Sequence, residues 1–252
     1  MKDCQPLKKQ VIMACLITGV YDVNRNTKLE ADDFEFVIDW ATSINNVGLQ
    51  AIIFHNCFST TTQEKHQNEN LIFIQVDGDS SLSPNALRYF HYLDFLKENK
   101  EQIADVFLTD IADVVLVNNP FTTSLFQQNN TTIFCGDEPK LLNDEWMKAH
   151  STHLRSNIDD YEAYENKYAN EVLLNCGIIG GKVEFMIEFL EKVCHLHKTF
   201  NTNNKTAYTG DMGAFNYIMR TAFTDLIIHG FPINTVFKEY QVNRTDCWFR
   251  HK

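Results

Sequence analysis

The chain has 252 residues and a formal net charge of −11, from 33 acidic and 22 basic side chains. That balance excludes a general nucleic-acid binder, because neutralising phosphates needs clustered lysine and arginine, but it allows a nucleotide whose charge is met locally by a divalent cation. The 44% hydrophobic and 22% charged content is ordinary for a globular protein, and the length suffices for one large α/β domain or two small ones. With no internal repeat, low-complexity linker or composition break, a single domain over residues 1–252 is expected.

The N-terminal "MKDCQPLKKQVIMACLITGV" has basic residues ahead of an apolar decad, as a signal peptide would. An acidic Asp3 and the lack of a small-x-small cleavage site speak against that, and the run suits a first buried strand. No apolar stretch reaches the roughly 18–20 residues needed to span a bilayer. Cys4, Cys15, Cys57, Cys135, Cys176, Cys194 and Cys247 are scattered without a CxxC pair, which reads as reduced thiols and a cytoplasmic chain. Sequons at Asn129, Asn130, Asn204 and Asn243 would matter only in a secreted protein.

Taken in order, "QVIMACLITG" is strand-like, and "ADDFEFVIDWATSINNV" has apolar residues at helical spacing behind an acidic, cap-like start. "LQAIIFHN" and "LIFIQV" are short buried-strand candidates. "PNALRYFHYLDFLKEN" reads as an amphipathic helix, and "DVFLTDI" as the next strand. The alternation favours an open, mostly parallel sheet with helices on both faces. Residues 140–170, rich in Asp, Glu and Asn, read as a surface excursion. In "EVLLNCGIIGGKVEFMIEFLEKVCHLH" a strand ends in Asn175, a glycine-rich passage with Gly177, Gly180 and Gly181 follows, and a helix begins near Val183. "YTGDMGAFNYIMRTAF" places Asp211 at another helix start.

Within "ADVFLTDIADVVLVNNPF", Asp110 and Asp113 stand between two apolar runs. Burying a lone carboxylate costs several kcal/mol unless it is paired or metal-bound. Open parallel sheets bind ligands beyond the carboxyl ends of their strands. If "DVFL" is a central strand, the two aspartates sit at the mouth of a site and offer oxygen ligands to Mg²⁺ or Mn²⁺. The competing reading is a turn cap and a surface ion pair. Asp77-Gly78-Asp79 is a literal DxD, but Ser-Ser-Leu-Ser-Pro after it suggests a turn and a helix cap. "GIIGG" meets neither a dinucleotide nor a Walker fingerprint.

The passage "FLTDIADVVLVNNPF" resembles the metal-site strand and turn of GT-A glycosyltransferases. "LLNCGIIGG" resembles their N-x-G-x-x-G-G sugar-binding segment, "GDMGAFNYIM" their D-Q-x-x-F-N helix start, and "HGFPINTVFKEY…CWFRHK" their closing segment with a late metal-ligating histidine. The four passages come in the family's order and span roughly 11–252. The spacing is Asp-x-x-Asp where Asp-x-Asp is commoner, so Asp110 could be a metal ligand or contact the nucleotide.

The resemblance implies a GT-A-like, Rossmann-like domain, with about 10–121 holding nucleotide and metal and about 170–252 holding donor sugar and acceptor. It implies transfer of a sugar from a nucleoside-diphosphate donor, UDP-sugar first among them, to a glycan or other hydroxyl acceptor. Asp110, Asp113 and His251 would hold the cation, with His229 a rival ligand and a frayed tail the competing reading of His251. Lys252 would reach a phosphate oxygen, and Arg88 the diphosphate or donor sugar. Thr18 and Gly19 would lie by the base and ribose, and Asn175 and Gly177 would form the wall for the sugar ring. Asp211 would orient the acceptor hydroxyl or act as general base, or else cap its helix. A magnesium-dependent nucleotidyl- or phosphotransferase, and a non-catalytic nucleotide- or carbohydrate-binding module, are the alternatives.

Overall fold

The run Val11–Ala14 is wholly buried, and its side chains divide between two cores. Val11 and Met13 enter one, Ile12 and Ala14 the other, as the two-residue period of a strand covered on both faces demands. This strand, β1 (Gln10–Leu16), lies inside the main sheet. The structure is a computed structural model that describes residues 6–19, 21–22, 27–78, 82–200 and 210–252. Cys4, Asp79 and Asn204, all weighed in the sequence, lie outside the described residues.

A small hairpin of β2 (Tyr21–Asp22) and β3 (Thr27–Lys28) follows, then α1 (Ile38–Asn46), β4 (Gln50–His55), α2 (Thr60–His66), β5 (Leu71–Gln75) and α3 (Pro84–Asn99). Next come β6 (Asp105–Thr109), β7 (Val114–Leu116), α4 (Ser124–Gln127), β8 (Ile133–Leu141), α5 (Glu145–His150), α6 (Thr152–Asn157) and α7 (Tyr161–Lys167). The chain continues through β9 (Val172–Lys182), α8 (Val183–Phe200), α9 (Asp211–Ala222), β10 (Ile227–His229) and β11 (Phe249–His251).

Seven strands form one sheet in the order β10-β8-β9-β6-β1-β4-β5. β6, β1, β4 and β5 are parallel, β10 is parallel to β8, and β9 runs against both of its neighbours. The fold is therefore α/β, with a mixed, mostly parallel sheet flanked by helices. β7 pairs with β11 in a separate antiparallel ribbon. The carboxyl ends of β1, β4 and β6 share one edge of the sheet, so Thr18, Asn56 and Asp110 emerge on the same side. No helix among the described residues is long and apolar enough to cross a membrane.

Three expectations from the sequence are corrected, and one element went unread. The helix expected from residue 31 begins as a short 3-10 turn at Glu35–Val37 and becomes α1 only at Ile38, with no side-chain cap, so the acidic start does not cap it. The strand through Asn175 does not stop there. β9 runs on through Gly177, Gly180 and Gly181 to Lys182, because these glycines make room for neighbours: a Cβ at Gly180 would run into the Phe107 ring, and one at Gly181 would meet the Thr132 carbonyl oxygen at 2.9 Å. The segment 140–170 is no loose excursion, since α5, α6 and α7 bury Met147, Leu154, Tyr161 and Tyr164 in the core shared with α9. Finally, α2, which separates β4 from β5, was not read at all; it is polar throughout and buries none of its residues.

α3 forms where the sequence places it. Pro84 fits its first turn, and the Ser83 hydroxyl accepts a hydrogen bond from the Ala86 N–H. Its Tyr89 stacks on the buried His197 of α8, with ring centroids 5.9 Å apart.

Phe107 touches Phe121, Phe126, Phe134, Trp248 and Phe249, so its ring has little room to yield. Gly180→Ala should lower stability in urea denaturation by about 1–3 kcal/mol, the usual cost of overpacking; an unchanged midpoint would mean that the ring is not held. Burial pushes His197 down to about 4 from an ordinary value near 6.5. Because the folded state disfavours its proton, this residue's full stability is present above about pH 6.5 and is lost as the pH falls from there to about 4, on the order of 3 kcal/mol in all. His197→Phe should flatten that part of the acid limb, as measured by urea denaturation across pH.

Candidate metal centre

Asp110 follows the last residue of β6, and Asp113 precedes the first residue of β7. α1 fastens both flanks of this short turn. The Trp40 indole N–H donates to the Thr109 hydroxyl at 2.7 Å, and the Leu116 N–H donates to the Ser43 hydroxyl at 3.0 Å. A third tie comes from β9, whose Gly177 carbonyl accepts the Asp110 N–H at 2.8 Å. The turn is thus fixed by strands and a helix, although its aspartate side chains remain about one-third exposed.

β11 completes the group. Its pairing with β7 sets His251 opposite Val114, and the Lys252 N–H donates to the Asp113 carbonyl at 2.9 Å. Buried Cys247, Trp248 and Phe249 anchor the segment, so His251 is part of a strand and not of a frayed tail. Its Nε2 lies 4.0 Å from an oxygen of Asp110 and 4.0 Å from one of Asp113. One ligand atom from each of the three residues falls within 4.8 Å of the others. Among the described residues this is the one group of three or more Asp, Glu, His or Cys side chains so placed.

The group suits a divalent cation on two further grounds. Both ring nitrogens of His251 are buried and make no hydrogen bond among the described residues; such an orphaned group is costly unless something binds it. Burial holds this imidazole below the usual histidine range, against the pull of Asp110, so it is neutral near pH 7 and can donate a lone pair. Gly177 then forms the floor. A Cβ there would stand 2.6 Å from His251 Cε1 and 2.7 Å from Asp110 Oδ2, in the space where their ligand atoms converge.

Arg88 of α3 pairs with Asp110 Oδ1, and its other terminal nitrogen reaches the Cys176 sulfur at 3.4 Å. Burial raises the Asp110 pKa, but Arg88 and then His251 more than offset it, and the carboxyl stays below its ordinary value. Asn175 is held at both ends of its amide. Its Nδ2 donates to the buried Glu138 at 2.9 Å, and its Oδ1 accepts the Gly177 N–H at 2.7 Å. Burial raises the Glu138 pKa, partly offset by Asn175.

Asp211 lies at the other end of the Cys176 side chain, whose sulfur is 3.8 Å from Asp211 Oδ2. It does not cap α9: the cap position is Gly210, in a left-handed conformation, and Asp211 Oδ1 sits 3.0 Å from His150 Nε2. Burial opposes its charge, but His150 and Arg88 bring the carboxyl down to about 2.

The remaining candidates sit elsewhere. Thr18 is locked to Asn56, donating its N–H at 3.0 Å and accepting from the Asn56 amide at 3.1 Å; Gly19 follows with a positive φ of 82°. The Lys252 ammonium lies 3.4 Å from Asp39 on α1. His229 pairs with Asp137 at 2.9 Å and is not part of the aspartate group. The Asp77 carbonyl contacts His91 at 3.1 Å.

Sequence reasoning missed Glu138, His150, Cys176 and Asn56. Only Asn56, at the carboxyl end of an expected strand, carried a positional signal.

Gly177→Ala should lower Mn²⁺ affinity at least about tenfold, read by electron paramagnetic resonance titration, because its methyl takes the space where the ligand atoms meet. Unchanged affinity would remove Gly177 from the floor of the centre.

No known protein-family model matches the chain, and no curated protein matches it in sequence.

Proposed function

We propose that the protein is a metal-dependent glycosyltransferase of the GT-A kind that moves a sugar from a nucleoside diphosphate, uridine diphosphate first, to a hydroxyl acceptor. The observation that carries this reading is the convergence of Asp110, Asp113 and the orphaned imidazole of His251 at the carboxyl edge of the sheet. Two carboxylates and a neutral imidazole are a donor set for Mn²⁺ or Mg²⁺, the imidazole favouring Mn²⁺. When bound, such a cation supplies Lewis-acid charge to a departing diphosphate.

The other residues divide the remaining work. Arg88 is held protonated: burial opposes its charge, and its neighbours, Asp110 among them, overcome that. It is a fixed cation beside the metal ligands, suited to a phosphate oxygen. Gly177 leaves room for the side chains of His251 and Asp110, and Asn175 fixes its backbone by accepting its N–H. Asp211, with a pKa near 2 and a histidine already on one oxygen, is a weak base. It suits orienting a hydroxyl, or balancing positive charge on a sugar ring as its glycosidic bond lengthens, better than taking a proton. Lys252, paired with Asp39, is not assigned to the diphosphate.

Differential thermal unfolding tests the reading. Mn²⁺ with UDP near a hundredfold excess over its Kd should raise the midpoint by about 5–10 °C, and Asp113→Ala should lose the shift. No shift with any nucleoside diphosphate in Mn²⁺, or a shift kept in Asp113→Ala, would overturn it. With a UDP-sugar, release of UDP and free sugar marks glycosyl transfer, whereas UMP and sugar phosphate mark cleavage of the diphosphate and the nucleotidyl-transfer alternative.

A further inference from the structure

A cleft of about 740 Å³ opens beside the aspartate–histidine group, between α1, the β7–β11 ribbon and the chain around residue 240. It is within the size range of small-molecule sites, roughly 300–1,000 Å³. His251 borders both the cleft and the metal centre, whereas Asp110, Asp113 and Gly177 do not line the cleft. The two are neighbours separated by one strand.

Strand alternation explains the cleft's chemistry. On β11, Phe249 and His251 are buried and Arg250 is half-buried between them. His251 therefore turns to the carboxylates, while Arg250 and Lys252 belong to the outer face, with Val115 opposite Arg250 on β7. Lys252 is neutralised by Asp39 at the rim. The Arg250 guanidinium has no hydrogen-bond or ion-pair partner among the described residues. An uncommitted guanidinium in a concave site, on a chain of net charge −11, is a feature that an anionic ligand would explain.

The walls combine aliphatic side chains, among them Ile38, Val115 and Val242, with a few polar groups. α1 contributes the hydroxyl of Thr42 and the amide of Asn46, and the opposite wall contributes the ring of Tyr240. The Gln241 amide is already committed, its Oε1 accepting the Val236 N–H at 3.3 Å and its Nε2 donating to Glu239 at 2.9 Å. Tyr240 is 64% exposed and has a φ of 48°, and nearby Lys238 has a φ of 65°. Two non-glycine residues held in the left-handed region so close together store strain of the kind that clusters at ligand-binding sites. The result is an exposed aromatic ring at the mouth of a cleft whose walls carry hydroxyl and amide groups among aliphatic side chains.

We infer that this cleft binds an acidic saccharide, with the carboxylate on Arg250, ring hydroxyls on Thr42 and Asn46, and a sugar face on Tyr240. As the acceptor site of the enzyme it rests on the glycosyl-transfer reading; as an anion-selective sugar site it does not.

Isothermal titration without metal or nucleotide tests it, with a glucuronic-acid disaccharide, a galacturonic-acid disaccharide and sialyllactose as acidic probes and cellobiose as the neutral reference. At least one acidic probe should bind about tenfold or more tightly than cellobiose. Arg250→Gln should erase that preference and keep the wild-type circular dichroism, and Tyr240→Ala should weaken the best probe several-fold. The proposal is overturned if no acidic probe outbinds cellobiose, or if Arg250→Gln leaves the preference intact. Since these titrations contain no nucleotide or cation, they can succeed where the thermal shift with Mn²⁺ and UDP fails, and the reverse, so the two readings fall separately.

Discussion

The antiparallel pairing of β11 with β7 is the interaction on which the centre depends. Residues 110 and 251 are separated by more than half of the chain, and three pairs of strand residues bring them together. Three pairs in isolation would not hold, because a two-stranded ribbon is marginal in water. The ribbon persists because its inner face is apolar: Val114, Leu116 and Phe249 are buried in the core that also takes Trp40 and Trp248. Trp40 and Ser43 of α1 then tie down β6 and β7 on either side of the aspartate turn. The geometry of this candidate centre is thus a consequence of hydrophobic packing a few ångströms away, which lets the His251 ring nitrogens go without a hydrogen bond among the described residues.

That dissatisfaction is partitioned. Asp110 gives one oxygen to Arg88 and turns the other toward His251, so pairing with Arg88 leaves a free oxygen to serve as ligand. His251 accepts the opposite bargain: deep burial, no hydrogen bond among the described residues, and a depressed pKa that keeps it neutral. A carboxylate in such surroundings needs a cation, and an imidazole needs to avoid a proton. A divalent ion between them meets both needs, whereas a water molecule meets only the hydrogen-bonding one.

Much of the fold could be read from residue patterns, and the misreadings have physical causes. β1, β4, β5, α3 and β6 were legible because each carries an uninterrupted apolar run or a capped, periodic face. Asp110 and Asp113 were legible because apolar flanks made two carboxylates anomalous. β9 was misread because glycine signals a turn locally, while here it signals the approach of Phe107 and Thr132 from neighbouring strands, a tertiary fact. Residues 140–170 were misread because their surface is highly charged; the buried Tyr161 and Tyr164 are three apart on one short helix and too few to dominate the composition. His251 entered through family resemblance alone. Its place beside the two aspartates depends on the β7 pairing, which no local pattern encodes. Glu138 had no signal at all: it lies between half-buried Asp137 and exposed Pro139, and its contact with Asn175 is made across strands.

Arg88 connects the two halves of the site. Its positive charge lowers the pKa of Asp110 at the metal centre and also that of Asp211 beyond Cys176. Cys176 lies between them with a raised pKa, due to burial first and Asp211 next, so it is a neutral thiol that spaces the charges without adding one. One guanidinium therefore serves two carboxylates on different elements, α9 and the β6–β7 turn. A ligand that drew Arg88 toward itself would weaken the field on both at once, leaving Asp110 more dependent on a cation and Asp211 more dependent on His150. The carboxylates of the β6–β7 turn and of α9 are coupled in this way by electrostatics alone, through one shared counter-ion and with no moving element.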